Sequence, residues 1–128
     1  MKKLLIPAAA LIAVACSNTG GETASTTAAG GTGFAAVSQI LSTNCMPCHS
    51  AQGHKGGWSA ASYADAMKAG EDGPVIVPGD PDASLIVQVL KGPVPDKRIP
   101  QMPMKRAPLS DADQKVIADW IKAGAKES

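Results

Sequence analysis

A chain of 128 residues has room for one small domain and little more, and its 12 basic and 11 acidic side chains leave a formal charge of only +1. No basic patch interleaved with aromatics is present, so nucleic acid is not an expected partner. One Phe, one Tyr and two Trp make a thin core for a chain of this size, and domains so small are only marginally supported by their own apolar surface.

The chain opens with the basic "MKK" and the apolar run "LLIPAAALIAVA", which ends in small residues. That is the layout of a secretory signal over residues 1–15. A spanning helix needs ~20 apolar residues, and the run falls short. Without Lys2 and Lys3 the exported remainder holds 10 basic and 11 acidic groups, close to −1.

Cys16 follows directly. "AVAC" at 13–16 resembles the lipobox of bacterial lipoproteins, although Ala13 stands where leucine is usual. The resemblance implies lipidation of Cys16 and a lipid anchor on the periplasmic side of a bacterial membrane. Plain cleavage near Ala15 would instead leave a soluble periplasmic protein. The next stretch, "SNTGGETASTTAAGGTG", has no bulky apolar residue and cannot fold alone. Residues 16–33 are therefore expected to be a lipidated cysteine and a flexible linker, its seventeen-residue coil reaching roughly 20–25 Å.

Residues 34–128 form the expected domain. "FAAVSQILSTN" places Phe34, Val37, Ile40 and Leu41 at helical spacing and runs into Cys45. "SAASYADAMKAG" reads as a second helix, capped by Ser59 or Ser62 and stopped by Gly70. "DPDASLIVQVLKG" offers Asp80 as cap, Pro81 at the first helical position and Gly92 past the end, although "LIVQV" also has strand character. "SDADQKVIADWIKAG" is the clearest helix, with Ser110 as cap, acids in its first turn, Gly124 at its close and an apolar stripe of Val116, Ile117, Trp120 and Ile121. Between the last two helices lies "GPVPDKRIPQMPMKRAP", whose five prolines predict a stiff, extended loop that is neither helix nor central strand. Loops of that length in compact domains usually hold something.

The chemistry concentrates in "NCMPCHS", residues 44–50. A C-x-x-C pair serves a thioredoxin-type redox loop, half of a zinc site, or covalent attachment of a c-type haem. The redox loop needs a βαβ context, and here a helix leads in and a Gly-rich loop leads out. Zinc needs four ligands, and Cys45, Cys48, His49 and His54 crowd into one short stretch. A plain disulfide leaves His49 without a role. Haem attachment uses every residue: Cys45 and Cys48 bond the macrocycle edges as thioethers, and His49 is the proximal iron ligand. Export agrees with it, because that attachment is completed outside the bacterial cytoplasm. The cofactor expected is one covalently bound haem c.

Haem iron in electron-transfer cytochromes is commonly held by histidine and methionine. Met46 lies inside the attachment loop, and Met67 on a helix face reads as core. Met102 and Met104, on the proline loop, can wrap round to the iron, and in an extended chain both point to the same side. His54, beside Lys55 and two glycines, reads as solvent-exposed. Lys97, Arg98, Lys105 and Arg106 flank the methionines, free to meet haem propionates, guide a partner or stay solvated.

From Phe34 onward the chain resembles class I c-type cytochromes, and most of all the planctomycete-type cytochrome c domain. The matching stretches are "CMPCH", "GG" at 56–57, "VPGDPDASLI" at 77–86, "MPM" at 102–104 and "LSDADQKVIADWIKAGA" at 109–125. The resemblance implies an all-α fold of four to five helices around one haem, with the first and last helices crossed and Gly33, Phe34 and Trp120 meeting there. It also makes Met102 the axial methionine. Met104 stands where the family has proline, which leaves it as a reserve ligand, and Trp58 stands where an aliphatic residue is usual. The expected function is one-electron transfer between redox partner proteins by a monomer, not enzymatic turnover. A small peroxidase with a labile Met102 and a haem redox-sensing domain are the alternatives. Peroxidase chemistry wants a polar distal pair, and only Gln101 and the basic loop residues stand nearby.

Overall fold

The computed structural model describes residues 33–128. The signal, Cys16 and all of the linker except Gly33 lie outside the described residues. Among the described residues the regular structure is all-α: α1 (Phe34–Asn44), α2 (Tyr63–Ala66), α3 (Leu85–Lys91) and α4 (Asp111–Lys122), with short 3₁₀ turns at Lys55–Gly57 and Pro95–Lys97. No helix among them is long and apolar enough to cross a membrane.

The core forms where α1 crosses α4. Val37 and Leu41 on α1 and Ile117, Trp120 and Ile121 on α4 are buried together, as the apolar stripes of both sequences require. An aromatic cluster pins the crossing: Phe34 meets Tyr63 edge-on at 5.4 Å and Trp120 at 5.7 Å between ring centroids. Three hydrogen bonds close it. The Phe34 N–H donates to Glu127 O (3.0 Å), the Tyr63 hydroxyl to Ala125 O (3.0 Å) and Trp120 Nε1–H to Lys126 O (2.7 Å). A Cβ on Gly33 would lie 2.9 Å from the Glu127 carbonyl, so the chain ends approach each other too closely for a side chain there.

The outer helices form as their sequences predict, and the inner two are shorter. Ser110 accepts from the Asp113 N–H (3.1 Å) and places Asp111 and Asp113 in the first turn of α4, where carboxylates face the positive end of the helix dipole. In α2, Ser62 is the cap, accepting from the Asp65 N–H. Ser59 lies before the helix instead: it is buried and accepts from the Ala61 N–H (3.2 Å), and the neighbouring Ala60 N–H goes to the His49 carbonyl (2.6 Å). α3 starts at Leu85 instead of Pro81. Asp80 accepts from the Ala83 N–H in a tight turn, and Ser84, 0% exposed, donates to Asp80 O (2.8 Å) while accepting from the Val77 N–H (2.8 Å). The residues before Leu85 are thus tied to the 77–80 loop and are unavailable to a helical ladder. The "LIVQV" run is helical after all, and its continuous apolarity has a physical cause. α3 packs against α4 with one side and forms a wall of an apolar cleft with another, which leaves only Gln88 and Lys91 as its polar residues.

The proline-rich segment is extended but carries one local element. Val94 and Ile99 pair as a single antiparallel bridge around the Pro95–Lys97 turn, with both N–H groups satisfied across it.

Two variants test this packing. Phe34→Ala should cost about 3–5 kcal/mol in a denaturant titration, the usual range for truncating a buried Phe. Ser110→Ala should cost only ~1 kcal/mol, the worth of a helix N-cap. Equal costs for the two would mean that the α1–α4 crossing does not hold the domain together.

Candidate functional site

α1 delivers the cysteine pair. Cys45 is the residue that ends the helix, its N–H still bonded to Leu41 O (2.8 Å), and Leu41 is 0% exposed. The chain then turns: the His49 N–H returns to Cys45 O (3.0 Å) and the Ser50 N–H to Pro47 O (3.2 Å). Cys45, Cys48 and His49 therefore reach one face of a compact turn whose position is set by the core.

That face is one wall of a cleft of about 370 Å³ open to solvent, within the size range of a small-molecule or cofactor site. Trp58 and Val75 continue the same lining. α3 contributes Leu85, Ile86, Val89 and Leu90. The proline loop adds Ile99, Met102, Pro103 and Met104, and Leu109 lies at the entry to α4. The walls are predominantly aliphatic, aromatic and sulfur-bearing. The loop is fastened to α3 by the Met102 N–H on Val89 O (2.8 Å) and by Gln101 Nε2 on Leu90 O (3.2 Å).

The structure thus brings Cys45, Cys48, His49, Met102 and Met104 to one cleft. Met102 is half-buried, whereas Met104 is 52% exposed although it lines the same space. Met46 also reaches the lining, from within the cysteine turn. Met67 packs against the core, and His54 is exposed outside the cleft lining. Of the four basic loop residues, two are engaged with backbone: Lys97 Nζ donates to Asp72 O and Arg106 to Thr43 O (3.1 Å). Lys105 and Arg106 stand at the cleft.

The two glycines after the cysteine turn close the near edge. Gly57 has φ +68°, in the left-handed region that favours glycine, and the Glu71 N–H donates to Gly56 O (2.8 Å). Opposite them, a Cβ on Gly70 would sit 2.7 Å from Gly56 O. The "GG" pair and Gly70 allow two backbone segments to touch beside the cleft, a constraint visible in sequence only as glycine spacing.

Burial and spacing bear on the alternatives to haem attachment that the sequence raised. Cys45 and Cys48 are free thiols, and burial pushes the Cys45 thiol up to about 11, with the Arg106 charge pulling partly the other way. A thiol that stays protonated at neutral pH is a poor nucleophile for disulfide exchange, where the thiolate is the reactive form. Among the described residues no group of three or more Cys, His, Asp or Glu side chains stands together as a metal site, so the four-ligand zinc arrangement has no geometry here. The His49 imidazole sits 5.3 Å from the Trp58 ring with its Nδ1 buried and unpaired. Trp58 is the site residue whose part the sequence did not define. Its signal was there, as a large aromatic in a chain with few of them, thirteen positions after Cys45.

One comparison with known proteins finds a similarity. No curated protein and no solved structure matches the chain. The family model described as planctomycete cytochrome C matches residues 45–103. The matched segment opens on Cys45, contains Cys48, His49 and Met102, and stops before Met104. The cysteine turn, α3 and the first part of the proline loop thus fall within the matched segment, whereas α1 and α4 flank it. Over residues 45–103 the chain is similar to planctomycete cytochrome C.

Proposed function

We propose that this protein is an exported monohaem c-type cytochrome that passes single electrons between redox partner proteins. One observation carries the reading: Cys45, Cys48 and His49 share an apolar cleft with Met102. The donor set fits haem c, since two thiols three residues apart can take the two thioether bonds and the next residue is an imidazole. The cleft walls fit it too, because a flat apolar macrocycle needs aliphatic surface to lie against, and Val75, Ile86, Val89 and Leu90 offer it.

Cys45 and Cys48 would hold the group covalently, each S–H adding across one vinyl double bond, and His49 would be the proximal ligand. Met102 would be the sixth ligand, with Met104 in reserve. Bound haem supplies a one-electron Fe(III)/Fe(II) couple. The protein's task is to keep both ligands in place and water out. The hydrogen bonds from Met102 and Gln101 to α3 support this, because a loop tied at adjacent residues moves little when charge changes. A thioether ligand and a dry pocket both favour the reduced iron and raise the potential. Half-burial favours Met102 over the exposed Met104 as the ligand. Lys105 and Arg106, at the cleft, have the charge to meet the propionates.

The reading extends to location. Residues 1–15 are proposed as a signal, Cys16 as the lipid-bearing N-terminus and residues 17–33 as a leash that keeps a monomeric head near a bacterial membrane on its periplasmic side.

Acid–organic extraction of the purified protein should leave the haem on the polypeptide, and the denatured protein should yield no reactive thiol from Cys45 or Cys48. Haem that extracts freely, with two thiols recovered, rejects covalent attachment. Oxidised wild type should show the weak near-red sulfur-to-iron band and resist carbon monoxide when reduced. Met102→Ala should lose the band, lower the potential and admit carbon monoxide, whereas Met104→Ala should do none of these. Rapid carbon monoxide binding by wild type, with peroxide turnover well above that of free haem, would point to a haem enzyme instead.

The anchor has its own test. Cys16→Ser should move the protein from the detergent-extracted membrane fraction to the soluble fraction or stop its maturation. Wild type found wholly soluble, with an unmodified N-terminus, removes the anchor and leaves the cytochrome reading intact.

A further inference from the structure

In the functional reading Trp58 is only part of a wall. Its surroundings give it a more specific place. The indole is 6% exposed, and Nε1–H donates to the Ala66 carbonyl at the end of α2 (2.9 Å), which fixes its orientation. It meets the His49 imidazole at 5.3 Å between centroids, with the planes 60° apart. The main chain of His49 is clamped on both sides, its N–H on Cys45 O (3.0 Å) and its carbonyl accepting from the Ala60 N–H (2.6 Å). The ring itself has no such clamp. Nδ1 is buried, and no protein group pairs with it.

Metal-binding histidines as a rule give the second ring N–H to a carboxylate, a carbonyl or water, which fixes the ring plane and strengthens the nitrogen that faces the metal. Here no protein acceptor performs that function, and an anchored aromatic packs on the ring instead. We propose that Trp58 is a positioning residue for His49: the indole, held by Ala66, sets the imidazole plane by packing and keeps solvent from Nδ1. The proposal rests on the haem reading above. It has an electronic consequence. An imidazole whose Nδ1–H is unshared is a weaker donor, which favours the reduced iron. Removing the indole should let water reach Nδ1, strengthen the donor and favour the oxidised iron.

The test uses full-length, haem-loaded protein with three variants and two readouts, the midpoint potential by spectroelectrochemical titration and the g values of the oxidised low-spin EPR signal. Trp58→Leu should lower the midpoint potential and shift the g values, which report the orientation of the axial ligands. Trp58→Phe, which keeps a ring but loses the bond to Ala66, should shift both in the same direction by less. Trp120→Phe is the control for a purely structural role: it loses the bond to Lys126 O in the core away from the cleft. It should lower the denaturation midpoint and leave potential and g values unchanged. Wild-type potential and g values in both Trp58 variants would overturn the proposal and make the indole simple core. Should Trp58→Leu fail to accumulate, Trp58→Phe decides on the same two readouts. Wild type without a covalent haem spectrum would overturn the functional reading, and this proposal with it.

Discussion

The placement of the cleft chemistry depends on how the last turn of α1 is held. Cys45 inherits its position from Leu41 through a backbone hydrogen bond, and Leu41 is buried against α4. The C-x-x-C-H turn is therefore an extension of the core, not a loop laid over it. The same crossing draws both ends of the domain together, because the Phe34 N–H bonds to the Glu127 carbonyl. A site that must keep an atomic arrangement constant is better built on such an element than on a free loop.

The opposite wall is secured differently. The segment between α3 and α4 has few backbone donors to spend, since proline supplies none. It directs those it has to α3 and to its own bridge: Met102 to Val89, Val94 and Ile99 to each other. Side chains add the rest, with Gln101 on Leu90, Lys97 on Asp72 and Arg106 on Thr43. The last of these joins the loop to the end of α1, the helix that carries the cysteines. Both walls of the cleft are thus tied to each other through backbone carbonyls. This explains how a long segment without an α-helix can present Met102 at a defined depth.

Burial among the described residues is handled by satisfying polar groups nearly everywhere. Ser84 is fully buried and makes hydrogen bonds on both sides, and the Trp58 and Trp120 N–H groups each find a carbonyl. Such pairing is what a low-dielectric interior demands. Against that background the unpaired Nδ1 of His49 stands apart. A group left without a partner where its neighbours all have one is more informative than the apolar lining, which many unrelated cavities share.

Read alone, the sequence determined the outer helices, the Ser110 cap of α4 and which reactive groups the cysteine turn carries. α1 and α4 follow from apolar spacing and from Ser110, whose effect is local and needs no partner from afar. "CMPCH" fixed the thiol and imidazole set, because three residue types at that spacing leave few alternatives, and the family match over residues 45–103 agrees. The inner helices were legible only in part. Ser59 and Asp80 were reasonable caps by local rules, but the Ala60 amide goes to His49 and Ser84 bridges Asp80 and Val77, contacts that no local rule contains. The depth difference between Met102 and Met104 was likewise hidden, since alternation in an extended chain puts both on one side, and only the bond from Met102 to α3 sets them apart. Trp58 shows the limit most clearly: its identity is in the sequence, but its contact with His49 depends on α2 supplying the Ala66 carbonyl at the right place. Local signals specify which groups are present. Which of them meet is decided by long-range packing, because each such contact joins segments that constrain one another only after the chain has folded.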